Sequence, residues 1–171
     1  MKETVQEYVQ RIQGKIAGKD PLRVQASTAR TLATLLRRAT PAKLRKRPAP
    51  DKWSVVEILA HLADVEIVTG WRLRSILGAP GTPIQAFDQD AWAAAGQYAK
   101  RDAHKSLEQF RVLREANLAF VKSLTPEQRK IFGMHAERGE ESIERLTQLI
   151  AGHDINHLEQ IESILTAKPH H

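Results

Sequence analysis

Apolar residues recur at intervals of three and four along most of this chain, and no segment alternates between apolar and polar residues as a half-buried strand does. Intervals of three and four place side chains on one face of an α-helix, and that face can be buried against other helices. The pattern is clear at Leu32, Leu35, Leu36 and Ala39. The sequence therefore predicts an all-α fold built from amphipathic helices.

Residues that start and stop helices divide this pattern into segments. Ser54 and Glu57 have the S-x-x-E form of a capping box, in which each side chain bonds the other residue's backbone N–H. A long helix is therefore predicted to begin at Ser54, and Gly78 and Pro80 end it. The predicted helices cover residues 3–16, 21–39, 54–77, 102–123 and 141–166.

Proline and glycine mark the connections between these helices. The predicted connections are a proline-rich segment over 40–52 with one helical turn begun by Thr40, a long loop with a short helix over 79–98, a brief turn at Thr125, and a second loop marked by Gly133 and Gly139. This order predicts a four-helix bundle with a long crossover connection. The bundle is predicted to form a single domain over residues 1–171. Roughly the first 20 residues are predicted as an additional helix, and residues 167–171 as a frayed tail.

Composition excludes several kinds of chemistry. The chain has no cysteine, which removes disulfides, thiolate metal sites and a cysteine nucleophile. Its nine glycines form no phosphate-binding loop, and the G-x-S-x-G motif of serine hydrolases is absent. Any reaction at this protein must therefore use nitrogen and oxygen atoms.

The charge distribution bears on partners and location. The net charge is +6, and the densest basic run lies in residues 37–47. That run has no stacking aromatics and no fingerprint of a nucleic-acid module, so we interpret it as a solvated connector, with nucleic-acid binding as the weaker alternative. The sequence shows no apolar run of about 18 residues and no secretory segment, which predicts a cytoplasmic protein that does not enter a membrane.

Two histidines interrupt the apolar stripe of the last predicted helix. Leu146, Ile150, His153, His157 and Ile161 follow one another at intervals of three and four, which directs both imidazoles toward the core. A buried imidazole costs free energy unless its nitrogens find partners. Histidines at positions i and i+4 can share one metal ion, but hydrogen-bonded core histidines are the commoner explanation of such a pair.

A third histidine lies on the other long helix, at the edge of its apolar face. Glu57, His61, Asp64, Val68 and Arg72 form a row beside that face, which predicts the wall of a polar pocket. If the two helices pack together, this histidine meets the other pair across the core, as in bundle metal sites. The alternative is a half-buried histidine that bonds a nearby carboxylate or water.

Two segments resemble a known family. Residues 53–66 read W-S-V-V-E-I-L-A-H-L-A-D-V-E and residues 150–161 read I-A-G-H-D-I-N-H-L-E-Q-I, with D-A-W at 90–92 between them. Together they resemble the DinB-like (DinB/YfiT) superfamily of metal-dependent enzymes over residues 40–165. The resemblance implies a four-helix bundle with a divalent metal ion, nickel or zinc, bound by His61, His153 and His157.

The resemblance implies a small-molecule enzyme more clearly than it implies a reaction. Characterised relatives include bacillithiol S-transferases, mycothiol-dependent maleylpyruvate isomerases and a metal-dependent hydrolase. We therefore expect a hydrolase or a transferase that uses a low-molecular-weight thiol, and a homodimer is possible. The alternative is a non-catalytic metal-binding or stress-related bundle in which the histidines are structural.

Other side chains are candidates for supporting roles. Asp64, Glu57 and Asp154 are candidates to hold the ligand histidines in one tautomer, with Asp64 favoured. The plainer alternatives are that Glu57 only completes the capping box, that Asp154 is solvated, and that Asp64 pairs with Arg72 or a lysine. Arg72 could meet an anionic substrate at the pocket mouth, although a surface arginine is the plainer interpretation. The remaining candidates are the aromatics Trp53, Phe87 and Trp92 as cavity or core residues, His104 and His135 as surface or loop groups with His135 a weaker reserve ligand, and His170 and His171 as tail residues excluded from the site.

Overall fold

The computed structural model describes residues 3–167, so all but the first residue of the predicted tail at 167–171, including His170 and His171, lies outside the described residues. The described part is mainly helical, and none of its helices combines the length and apolar character needed to cross a membrane. The helices are α1 (Val5–Ile16), α2 (Pro21–Leu36), α3 (Pro41–Arg45), α4 (Val55–Gly78), α5 (Gln89–Ala95), α6 (Ala103–Ser123), α7 (Pro126–Arg129) and α8 (Ile143–Thr166). A short 3-10 helix lies at Tyr98–Lys100.

Helices α2, α4, α6 and α8 form the bundle. Helix α4 packs against α6 and α8, and α2 packs against α6 and α8. Helix α1, which the sequence predicted as an additional element, lies against α8. The connection between α4 and α6 is the long one, and it contains α5 and the 3-10 helix.

The N-terminus of α4 is fixed by the predicted capping box. The backbone N–H of Glu57 donates to Ser54 Oγ, and the Glu57 carboxylate accepts from the backbone N–H of Ser54 at 2.8 Å. Both residues are buried, and so is every residue of α4 from Val55 to Glu66. A helix buried on all sides presents polar residues to the interior wherever they occur, so His61 is inside the protein.

The structure also contains a small sheet where the sequence predicted loops. Strand β1 (Pro83–Ile84) runs parallel to β2 (Phe132–His135), which is antiparallel to β3 (Gly139–Ser142). Gly139 has a φ of 72°, the left-handed conformation that closes the three-residue turn between β2 and β3. The strands are two to four residues long, too short for a two-residue period to appear in the sequence.

The sheet corrects one helix boundary. Glu141 and Ser142 belong to β3, so α8 begins at Ile143 instead of Glu141. Ser142 Oγ accepts from the backbone N–H of Arg145 at 3.0 Å and caps the helix. The smaller predicted turns at Thr40 and Thr125 are confirmed, since these residues cap α3 and α7.

Candidate metal centre

The three histidines predicted as a set lie together in the core. The Nε2 atom of His153 is 3.0 Å from His61 Nε2 and 3.1 Å from His157 Nε2. His153 and His157 are one turn apart on α8, and His61 comes from α4, which packs against α8. The helical spacing places two rings on one face, and the packing of the two long helices adds the third.

All three imidazoles are held neutral by their surroundings. Burial lowers the pKa of His61 and of His153 well below the usual imidazole value, and the nearby His157 lowers both further. Burial also lowers the pKa of His157 to about 4. A neutral imidazole keeps a lone pair on one ring nitrogen, which is the form that binds metal ions.

The outer nitrogens of the rings have few partners. His157 Nδ1 lies 2.9 Å from Gln160 Oε1, so Nδ1–H donates to that amide oxygen and Nε2 keeps the lone pair. The Nδ1 atoms of His61 and His153 are buried and have no hydrogen-bond partner among the described residues. The ring of Trp53 covers His61, with centroids 4.9 Å apart.

The donor set fits a divalent metal ion. Two nitrogens bound to one tetrahedral ion at the usual zinc–nitrogen distance are about 3.3 Å apart, close to the observed separations. One ligand atom from each histidine lies within 4.8 Å of the others. Three neutral imidazoles with converging Nε2 atoms can hold a metal ion, whereas hydrogen bonds alone cannot satisfy them, because the Nε2 atom of a neutral imidazole has either one proton or one lone pair.

The carboxylates predicted to orient the imidazoles have other partners. Glu57 completes the capping box and forms an ion pair with Arg47. Asp64 accepts from Tyr98 Oη at 2.6 Å and from Arg101 Nη1 at 3.1 Å. Among the described residues, Glu57 and Asp64 therefore form no hydrogen bond with an imidazole, which corrects the expected contact.

Asp154 also differs from its expected role. It accepts from Arg114 Nη2 and from Thr28 Oγ1, each at 2.9 Å, and within residues 3–167 it forms no hydrogen bond with an imidazole. The side chain that does orient an imidazole is Gln160, three residues after His157 on α8. Its spacing of i+3 was visible in the sequence, but an amide at that position is common on helices and gave no signal by itself.

A cavity of about 450 Å³ opens beside the histidines. His61 and His153 line it, together with apolar side chains of α4 and α8 and the first half of α1. Arg72 also lines the cavity and is buried, so the interpretation as a surface arginine is wrong. The row predicted on α4 is thus divided, because His61, Val68 and Arg72 face the cavity and the two carboxylates of that row do not.

His135 was predicted as a surface or loop group, and that prediction is wrong. It is buried in β2 and lines the same cavity. Burial, followed by the charge of Arg138, lowers its pKa to about 4. The histidine is not among the three whose ligand atoms converge. The sequence gives no signal for its burial, because β2 is only four residues long and shows no recognisable strand period.

The remaining candidates are placed as follows. His104 is exposed, as predicted. Phe87 lines the cavity and contacts Trp92 at a centroid distance of 5.1 Å, while Trp92 itself is partly exposed. Trp53 packs on a histidine ring and does not line the cavity.

Comparison with known proteins agrees with this architecture. The family model described as the DinB superfamily matches residues 25–161. The structure of YfiT from Bacillus subtilis, described as a probable metal-dependent hydrolase with an unusual four-helix bundle topology, is similar with a TM-score of 0.78 and 23% sequence identity. The match covers 84% of this chain and 83% of that one and confirms the predicted four-helix bundle. No curated protein matches the chain by sequence.

Proposed function

This chain belongs to the DinB superfamily, and from that premise we propose that it is a divalent-metal-dependent hydrolase of a small molecule. One observation carries the proposal: three buried, neutral imidazoles direct their Nε2 atoms at one another beside a cavity. His61, His153 and His157 would hold the ion. An all-nitrogen set of this kind suits nickel or zinc.

The bound ion would supply a Lewis acid that polarises a substrate oxygen and makes water a better nucleophile at neutral pH. The protein's own contribution is the site around it. Three ligands leave coordination positions open, as catalytic metal sites require and sealed structural sites do not. The hydrogen bond from His157 Nδ1–H to Gln160 keeps one ligand in the correct tautomer.

The cavity supports a small-molecule substrate. Its volume of about 450 Å³ lies in the range of ordinary ligand pockets. Val65, Leu146, Leu149 and Ile150 provide apolar surface in the cavity beside the imidazoles. The description of YfiT as a probable metal-dependent hydrolase favours hydrolysis over thiol transfer.

The test is metal content together with activity, in protein without an affinity tag. We expect about one equivalent of nickel or zinc per chain by elemental analysis, and hydrolysis of some members of a panel of small esters and amides. His153→Leu should abolish both, and His104→Leu, at an exposed histidine, should leave both unchanged. Full activity in His153→Leu, or no bound metal after reconstitution with either ion, would overturn the proposal.

A further inference from the structure

Arg72 is a buried guanidinium without a counter-ion. Arg72 is 8% exposed. Within residues 3–167, no carboxylate lies within ion-pair distance of its guanidinium. Its one hydrogen bond runs from Nη2 to the backbone oxygen of Gln85 at 2.7 Å. By contrast, Arg114 bonds two carboxylates, and Arg138, which lines the same cavity, donates three hydrogen bonds to Glu141. A buried charge without a partner is costly, so a ligand that supplied the missing anion would relieve that cost.

His135 offers an unpaired donor at the same place. Its Nδ1 accepts from the backbone N–H of Glu137 at 3.2 Å, which leaves the proton of the neutral ring on Nε2. His135 is 3% exposed, and its Nε2 has no partner among the described atoms. A buried N–H without an acceptor costs free energy, which a ligand that accepts its hydrogen bond would recover.

The small sheet brings these two side chains together. His135 is the register partner of Ile84, and Arg72 donates to the carbonyl of the next residue, Gln85. Both side chains line the cavity that reaches the histidine cluster. Arg72 and His135 therefore line a single space. The guanidinium has a carbonyl partner but no carboxylate there, and the imidazole Nε2–H has no acceptor among the described atoms.

The charges around this space favour a monoanion. Arg138 is neutralised by its bidentate pair with Glu141, and Glu137 is exposed at the rim. Glu137 and Glu141 act on Arg72 through space, and Glu3 and Asp88 also line the cavity, but none of these carboxylates forms an ion pair with Arg72. One guanidinium among these acidic groups matches a carboxylate better than a phosphate dianion. A carboxylate also fits the planar fork of a guanidinium with two parallel hydrogen bonds.

We propose that Arg72 and His135 form a carboxylate-binding subsite at the end of the cavity away from the histidine cluster. The idea rests on the proposed function and specifies its substrate class. Eleven residues separate His61 from Arg72 on α4, about 16 Å between their backbones. The arginine side chain leans toward the helix N-terminus and shortens that gap. The substrate is thus an elongated small molecule with a carboxylate at one end and the hydrolysed bond at the other.

The subsite is tested in metal-free protein, so that its result does not depend on catalysis. The probes are acetate, hexanoate and phenylacetate, the matching neutral amides and inorganic phosphate, titrated by calorimetry at constant ionic strength. We expect the carboxylates to bind at least tenfold more tightly than their amides. We also expect phosphate to bind more weakly than the carboxylates.

Variants assign the binding to named side chains. Arg72→Gln should weaken carboxylate binding at least tenfold, and His135→Phe about threefold to tenfold. The control is Arg74→Gln on the same helix, whose guanidinium bonds Gly70 O and Asn117 Oδ1 outside the cavity, and it should bind like the natural protein. Arg72→Gln should be at least as stable to heat as the natural protein, because it removes an unpaired buried charge.

Three results would overturn the subsite. These are equal binding of amides and carboxylates, tighter binding of phosphate than of any carboxylate, or the same loss in Arg74→Gln as in Arg72→Gln. A marked loss of thermal stability in Arg72→Gln would also contradict it, since the arginine would then be structural. If the metal-loaded natural protein hydrolysed no substrate of the panel while the metal-free protein still bound carboxylates as expected, the proposed function would be wrong and the subsite would stand.

Discussion

Two polar clusters lie buried in the same bundle, and they differ in how completely their own side chains satisfy them. The histidine cluster consists of His61, His153 and His157. The arginine cluster consists of Arg114 with Glu66 and Asp154. The two clusters are neighbours in sequence, because Asp154 follows His153 on α8, and both connect α4 to α8.

The arginine cluster supplies its own partners. Arg114 Nη2 donates to Glu66 Oε1 and to Asp154 Oδ1, each at 2.9 Å. Asn117 donates to the second oxygen of Glu66 at 3.0 Å, and Thr28 donates to Asp154 at 2.9 Å. Apart from Arg114 Nε, the polar side-chain atoms of this cluster have partners, and they join all four bundle helices.

The histidine cluster is equally buried but is not satisfied by the protein. Its Nε2 atoms face one another, and two of its three Nδ1 atoms have no partner among the described residues. A buried polar network that is complete within the chain stabilises the fold, whereas an incomplete one indicates a ligand that completes it. We therefore assign a structural role to the arginine cluster and propose a binding role for the histidine cluster.

The largest expected effect is at the centre of the arginine cluster. Arg114→Met leaves two buried carboxylates without a counter-charge, which should lower the free energy of unfolding by about 3 to 5 kcal/mol. The control is Arg111→Met on the same helix, whose pairs with Glu108 and Glu115 are solvent-exposed and should contribute less than about 1 kcal/mol. Urea denaturation measures both, and equal losses would remove the structural role of the arginine cluster.

Metal addition should reveal the opposite behaviour at the histidine cluster. Nickel or zinc at 100 times its dissociation constant should raise the free energy of unfolding by about 2.7 kcal/mol. His153→Leu should eliminate this increase and change the stability of the metal-free protein much less than Arg114→Met does. The measurement is thermal or urea unfolding with and without metal. An increase that persisted in His153→Leu would place the binding site elsewhere.

Removing the hydrogen bond between His157 and Gln160 should have an intermediate effect, on metal affinity. Gln160→Leu removes the acceptor of His157 Nδ1–H, so metal affinity should fall by about tenfold to a hundredfold. Gln148→Leu on the same helix is the control, because Gln148 is not a hydrogen-bond partner of the three imidazoles. Competition with a chromophoric chelator measures both affinities, and unchanged binding in Gln160→Leu would show that this bond does not orient the ligand.

The smallest effect expected is at the edge of the arginine cluster. Thr28→Val removes one of the bonds to Asp154 while the pair with Arg114 remains, which should cost about 1 kcal/mol of stability. Thr31→Val, whose hydroxyl bonds only the carbonyl of Ser27 within its own helix, should cost less. If urea denaturation gave the same value for both, the hydroxyl of Thr28 would not belong to the network.

Much of the helical framework was predictable because its signals are local. The capping box at Ser54 and the caps at Thr40 and Thr125 act within three residues and appear in the structure as predicted. The hairpin of β2 and β3 was not predictable, since its strands are too short to show a period. The burial of His135, which lies in β2 and lines the cavity, was therefore not predictable either.

The candidate site shows the same division. The common face of His153 and His157 follows from their spacing of four residues. The Ser54 partner of Glu57 followed from spacing, but its ion-pair partner Arg47 did not, and neither did the partners of Asp64. Arg47, Tyr98 and Arg101 lie in the connections between helices, outside α4. Nearness along the chain was a poor guide to which charges meet.

The sequence by itself determined where the long helices lie and which of their faces turn inward, because helix geometry repeats every few residues and needs no distant partner. Only the tertiary structure decided which nitrogen of each ring faces the other imidazoles, which carboxylates are neutralised, and that Arg72 stands buried without an anion. Those properties depend on distances between helices and strands, and charge and hydrogen-bond partners are chosen through space. The positions of these residues on their helices could therefore be predicted from the sequence, but their hydrogen-bond and ion-pair partners are fixed only when the helices and strands pack together.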